Sequence, residues 1–163
     1  YNPVPDFNWG LNVQLSYKNF DLSMFFQGVC GVDVYNNQKF QTDFWSLTDS
    51  GSNKGNRLLG AWTQDNTSST IPALTTNNTG DEGRRSSYFV EHGSWMKLRT
   101  LQIGYNFEQS LLKKLHMTSA RVYVSGQNIF TLKSNSFTIS DPENPNWAYP
   151  HSSSVSLGLQ LSF

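Results

Sequence analysis

At 163 residues, with zero formal net charge and 15% charged side chains, the chain has no basic run for nucleic acid and no acidic tail for a cationic partner. No stretch approaches the ~18 consecutive apolar residues of a membrane helix, and the single cysteine, Cys30, excludes an internal disulfide. Aromatics make up 14% of the residues and mean hydropathy is −0.49, values shared by transmembrane β-barrels, whose strands are half polar, and by secreted β-sandwiches.

Phe7, Trp9, Leu11, Val13, Leu15 and Tyr17 alternate with Asn8, Gly10, Asn12, Gln14 and Ser16, which predicts a strand over about 7–17 with one apolar and one polar face. Lys18-Asn19 reads as a tight turn. Phe20, Leu22, Met24 and Phe26 then alternate with Asp21, Ser23 and Gln27, completing a hairpin over about 20–29. Phe25 interrupts the polar row without a local reason. From about 30 to 87 the alternation dissolves into Asn, Ser, Thr, Gly, Gln and Asp, with Phe44, Trp45 and Trp62 embedded. So long an irregular segment points to function or disorder.

Order returns over about 88–107 through Trp95, Leu98, Leu101, Ile103 and Tyr105. Lys97 and Arg99 share parity with Leu101 and Ile103, whereas Met96 and Leu98 form the apolar set upstream. A lipid-facing arginine costs ~2–4 kcal/mol at the bilayer midplane, so a β-bulge is expected near Arg99–Thr100. A shorter connection follows over 108–118, with one helical turn around Leu111-Leu112-Lys113-Lys114-Leu115. A strand over about 119–130 carries Val122, Val124 and Gly126 on one face and Arg121 on the other, which directs Arg121 to the lumen. A loop over about 131–150 contains Asp141-Pro-Glu-Asn-Pro. The closing strand, about 152–163, alternates Val155, Leu157, Leu159, Leu161 and Phe163 with serines, Gly158 and Gln160.

These elements imply an all-β chain of antiparallel strands whose connections alternate short and long, the layout of an outer-membrane barrel with short periplasmic turns and long extracellular loops. If the last strand runs toward the periplasm, 30–87 and 131–150 lie outside and 108–118 lies inside. Tyr17, Phe20, Tyr105, Phe107 and Phe163 then fall near inner strand ends, and Trp9 and Trp95 near outer ends, as interfacial girdles.

No catalytic constellation is present. His92, His116 and His151 lie on separate segments without metal-ligand spacing, and Asp33, Asp43, Asp65 and Asp81 form no calcium-loop pattern, so no metal, cofactor or enzymatic activity is expected. The binding candidates are loop aromatics, because a flat ring stacks on the apolar face of a sugar while Asn, Gln and Asp bond its hydroxyls. They are Phe44, Trp45 and Trp62 with Asp65 and Asn66, and Asn36, Asn37, Gln38 and Asp43 lie close in sequence. Trp62 has a structural alternative: with Ile71, Pro72 and Leu74 it packs the loop or meets a partner protein.

Several segments together resemble SusC/RagA-type TonB-linked outer-membrane proteins in their C-terminal part. These are Phe20-Asp-Leu-Ser-Met-Phe-Phe-Gln-Gly28, Trp62-Thr-Gln-Asp-Asn66 with Ile71-Pro-Ala-Leu74, and Ser94-Trp-Met-Lys-Leu-Arg-Thr-Leu-Gln-Ile-Gly-Tyr105. Val122-Tyr-Val-Ser-Gly-Gln-Asn-Ile-Phe130, Asp141-Pro-Glu143 and Gly158-Leu-Gln-Leu-Ser-Phe163 complete the order. Trp95, where a Tyr is usual, and Lys97 beside the Leu-Arg are modest departures.

The resemblance implies a TonB-dependent (TonB-linked) transporter of the outer membrane of a Bacteroidetes-type bacterium. The five strands would be the last of a 22-stranded transmembrane barrel, in contact with membrane lipid and lipopolysaccharide. It implies a SusD-like lipoprotein partner, import of glycan (oligosaccharide) or peptide cargo, and TonB contact through a part of the protein preceding this chain. The start at Tyr1, without Met or signal peptide, fits a fragment. Leu159, Leu161 and Phe163 would form the signal for the barrel-assembly machinery. The alternative is a secreted carbohydrate-binding β-sandwich module, which needs a second sheet that five strands scarcely supply. A glycosidase needs two convergent carboxylates, and Glu82, Glu91, Glu108 and Glu143 sit in unrelated contexts.

Overall fold

Period-two alternation governs the main sheet. In the computed structural model, which describes residues 1–44, 53–75, 84–114, 116–144 and 149–163, the strands are β1 (Phe7–Tyr17), β2 (Phe20–Cys30), β3 (Asp33–Tyr35), β4 (Val90–His92), β5 (Trp95–Asn106), β6 (Ser119–Lys133) and β7 (Ser154–Ser162). Two short helices, α1 (Asn37–Asp43) and α2 (Gln109–Lys114), lie between them. The chain divides into a sheet unit (2–32, 93–134, 151–163) and a loop unit (33–92 and 135–150, with Tyr1).

In the sheet unit, five strands pair antiparallel in the order β1-β2-β5-β6-β7. Register places Leu11 against Phe26, Met24 against Leu101, Ile103 against Val124, and Val124 against Leu157, so the apolar rows merge into one face. That face is open: Leu11 is 51% exposed, Ile103 49% and Leu157 76%. The opposite face presents Gln14, Ser23, Gln102, Ser125 and Ser156 in the same registers.

The bulge expected near Arg99–Thr100 is present. Thr100 pairs with Phe25 and Leu98 with Phe26, leaving Arg99 as the extra residue. The shift restores Leu98 and Leu101 to the apolar face and keeps Lys97, opposite Gln27, on the polar one. Arg99 Nε donates to Gln27 Oε1 at 2.9 Å and its guanidinium reaches Asn128 Oδ1 at 3.3 Å. Asn128 sits at φ 50°, a left-handed conformation that Asn tolerates better than most residues. The Gly126-Gln-Asn128 sequence is therefore where β6 accommodates its neighbour's bulge, because its pairing shifts over the same interval.

Glycines on these strands are flat seats for large neighbours. Phe25, puzzling in the sequence, lies over Gly10, where an added Cβ would meet its ring at 3.2 Å. Gly104 leaves room for Arg121 to cross β5 and grip Asp21 on β2, with Nε to Oδ1 at 3.1 Å and a second bond from Nη2 to Oδ2. Arg121 thus lies on the polar face, as its parity requires.

The continuous strand read over 88–107 is instead divided. A 3₁₀ turn at Ser87–Phe89 and strand β4 belong to the loop unit, where β4 pairs with β3, and the main strand begins only at Trp95. Gly93-Ser94 makes the break; Gly93 N–H bonds to Val32 O at 2.8 Å. Trp95 also departs from the girdle expectation. It pairs with Val29 and Lys133 on the polar-face register and is 8% exposed, with the Lys97 ammonium 5.5 Å from its ring. Trp9 keeps the apolar face, lying over Gly28.

The 108–118 connection holds α2, closed by a Schellman motif. Met117 N–H bonds to Leu112 O at 3.0 Å and His116 N–H to Lys113 O at 3.4 Å, with His116 at φ 54°. A non-glycine residue is strained there. His116→Gly is therefore expected to stabilise the protein by about 0.5–1 kcal/mol, read as a higher thermal midpoint of the purified protein. A lower midpoint would mean that the imidazole contributes more than its backbone strain removes.

Candidate functional site

The loop unit is built around one ring. Phe89, with no exposed surface, packs against Phe40 at 5.2 Å, Tyr88 at 5.0 Å, Tyr35 at 5.9 Å and Phe44 at 6.2 Å between ring centroids. Leu58 and Ile71 complete the cluster. The segment over about 30–87, expected to be irregular, thus forms a core with Tyr88 and Phe89 that follow it, supported by β3, α1 and a 3₁₀ turn at Asn56–Gly60.

Around this core runs a buried polar network. Asn36, 1% exposed, caps α1 by accepting from Lys39 N–H at 2.8 Å, and its amide donates to Thr138 Oγ1 at 2.9 Å. The Asp43 carboxylate, whose side chain is 0% exposed, meets Arg57 Nε at 3.1 Å and accepts from Tyr88 OH at 2.9 Å. Glu91 accepts from Thr138 N–H and Oγ1, each at 2.8 Å, and its Oε1 is 3.8 Å from Lys39 Nζ. Lys39 Nζ donates to Tyr88 O at 2.6 Å and stands 3.9 Å from the Tyr88 ring centre. Burial pushes the Tyr88 phenol up, and the bond to Asp43 adds to the shift. Burial also lowers the Lys39 ammonium, a shift that the Glu91 charge opposes. The network ties 36–43, 57, 88–91 and 138 into one body, a structural role that leaves these groups few free hydrogen-bonding positions.

The sequence-derived site residues separate accordingly. Phe44 is a core residue, 6% exposed and 5.4 Å from the Tyr88 ring, so its faces are covered by the loop itself. Asn36 and Asp43 are likewise turned inward. Trp45 lies outside the described residues. Trp62, Asp65 and Asn66 share one turn: Thr63 bridges Asn66, and the Asn66 amide donates to Gly60 O at 3.1 Å and Ala61 O at 3.3 Å. Trp62 N–H bonds to Ile71 O at 2.9 Å, which fixes the turn to the core. Asp65 is exposed and Trp62 is 41% exposed, so both residues of this turn reach the surface.

Asp141-Pro-Glu143 is also a turn. Asp141 Oδ1 accepts from Glu143 N–H at 3.1 Å, and its carbonyl accepts from Asn144 N–H at 3.1 Å. Leu159, Leu161 and Phe163 follow the apolar parity of β7 and are 63%, 43% and 87% exposed. The sequence reading missed Arg57, Tyr88, Glu91 and Thr138. Only the Asn36 cap had a local signal, an Asn directly before the helical residues.

No family profile matches the chain. TonB-dependent receptor P3 of Formosa agariphila is 32% identical over 181 residues, covering 99% of this chain and 17% of that protein. TonB-dependent receptor SusC of Bacteroides thetaiotaomicron is 30% identical over 169 residues, covering 99% of this chain and 15% of that protein. Among solved structures, the RagAB peptide importer in its open-open state superposes with a TM-score of 0.77 at 27% identity, covering 98% of this chain and 17% of that one. This chain thus spans about a sixth of the length of the relatives it matches. Similarity in sequence and fold along the full chain, on a sheet with one open apolar and one polar face, identifies it as a segment of the β-barrel of a SusC/RagA-type TonB-dependent receptor.

Proposed function

We propose that the complete protein is a TonB-dependent outer-membrane transporter, importing oligosaccharides or peptides with a SusD-like surface lipoprotein, and that this chain supplies its last five wall strands. The observation that carries the reading is the two-sided sheet. Its apolar face is continuous across five strands and open, with Ile103 on the central strand 49% exposed. Lipid satisfies such a face, whereas a secreted sandwich would have to cover it. In this reading 108–118 faces the periplasm, the loops over about 30–87 and 131–150 are extracellular, and Leu159, Leu161 and Phe163 present the assembly signal. TonB is engaged through a preceding part of the protein, and the work is transport rather than catalysis. Deleting the receptor is expected to abolish cargo uptake, and purifying it in mild detergent is expected to bring down a lipoprotein. Unchanged uptake with no lipoprotein captured would overturn the proposal.

Trp62 and Asp65 are the exposed pair offered to cargo. Trp62→Ala is expected to weaken cargo binding by the receptor–lipoprotein complex about tenfold, or ~1.4 kcal/mol, with lipoprotein capture intact. Unchanged cargo affinity with lost capture would assign the indole to the partner instead.

A further inference from the structure

The sheet unit carries a groove that its own side chains do not fill. It measures about 490 Å³, within the ~300–1,000 Å³ range of pockets that hold small molecules. Ala120, Leu159 and Leu161 line it from the strands, Leu112 and Met117 from α2 and its cap, and Lys114 contributes the charged member. Leu112 is 3% exposed and Ala120 8%, so the helix is seated against the sheet rather than detached from it. The Schellman bond from Met117 N–H to Leu112 O, at 3.0 Å, sets the spacing of the two side chains that close one side.

Two observations define the occupant. The first is continuity. Leu159 pairs with Val122 and Leu161 with Ala120 on the apolar face, so the groove opens from the same surface that meets hydrocarbon. The second is charge. Lys113 and Lys114 occupy the last turn of α2, both exposed, and among the described residues neither has an acidic partner. An apolar slot beside a pair of unpartnered ammonium groups matches an acyl chain joined to a phosphate. A soluble polar ligand would find almost no hydrogen-bonding group in the slot.

We propose that the groove between α2 and β7 holds one acyl chain of a phospholipid of the inner leaflet, with Lys113 and Lys114 at its phosphate. The leaflet assignment rests on the barrel orientation given under the proposed function. The lipid anchors the 108–118 connection to the membrane interface.

The test uses the full receptor in vesicles of phosphatidylethanolamine with a minority of phosphatidylglycerol bearing a photoreactive acyl chain. After irradiation, adducts are mapped by peptide mass spectrometry. Labelling is expected to concentrate at 112–117 and 159–161, above that at Val124 and Leu157 on the open face. Lys113→Glu with Lys114→Glu is expected to reduce the groove labelling roughly tenfold, and Met117→Trp, which fills the slot, to reduce it without altering charge. Both variants are first required to retain the heat-resistant gel mobility of a folded barrel. Uniform labelling across the apolar face, or groove labelling unchanged in both variants, would overturn the site while leaving the barrel reading intact. Absence of labelling at Val124 and Leu157 as well would refute the barrel reading, and the groove with it.

Discussion

Arg57→Met is expected to loosen the loop unit by about 3 kcal/mol, the lower end of the ~3–5 kcal/mol that follows when one partner of a buried ion pair is removed. Asp43 has no exposed side-chain surface, and Arg57 stands 3.1 Å from it. Without the guanidinium, the carboxylate keeps its bonds from Tyr88 and Thr42 but loses its countercharge. The arginine side chain is 30% exposed, so water partly replaces it, and the effect falls at the low end. The readout is amide hydrogen exchange in peptides covering 37–43 and 88–91 of the purified receptor, with β2 and β5 as internal controls. Exchange should accelerate in the loop peptides alone. Adding Asp43→Asn to Arg57→Met should recover part of the loss, because the uncompensated charge is gone. Unchanged protection in the single variant would mean that the pair contributes nothing to holding the loop.

Val124→Arg should be the most damaging change in the sheet, destabilising the barrel by about 2–4 kcal/mol. Val124 lies mid-strand on the apolar face between Ile103 and Leu157 and is 45% exposed, so no neighbouring side chain shields a guanidinium there from hydrocarbon. One residue along, Ser125 pairs with Gln102 and Ser156 on the polar face, where an arginine keeps contact with water. Outer-membrane levels of folded receptor should therefore fall sharply for Val124→Arg and change little for Ser125→Arg. Equal levels for the two variants would contradict the assignment of faces. The comparison controls for added charge and bulk and isolates direction, the property that the sheet's parity predicts.

The extent of legibility follows from the range over which each interaction acts. Strand parity is a local property: alternate Cβ atoms point to opposite faces whatever the neighbours are. Phe7 to Tyr17 and Val155 to Leu161 therefore announce their strands and faces, and Arg99 announces a bulge because an uninterrupted strand would put it in lipid. Phe25 was opaque because its explanation, Gly10, lies on another strand. The loop was harder still. Its low hydropathy and frequent Asn and Thr read as irregular, yet five aromatic rings spread from Tyr35 to Phe89 converge on one cluster. Phe44 and Trp62 looked equivalent as sequence; one is core and the other surface.

Five long strands, the start of β5 excepted, their apolar and polar rows, the break at Arg99 and the family resemblance are all legible in the chain, because each is written in neighbouring residues or in their order. Which polar loop residues are consumed internally emerges from the folded chain alone, since Asp43, Arg57, Tyr88 and Thr138 meet across long separations that no periodicity records. The same holds for the direction of Trp95 and the groove beneath α2. Both depend on what packs beside a residue, and packing partners are chosen by the fold rather than by the residues adjacent in the chain.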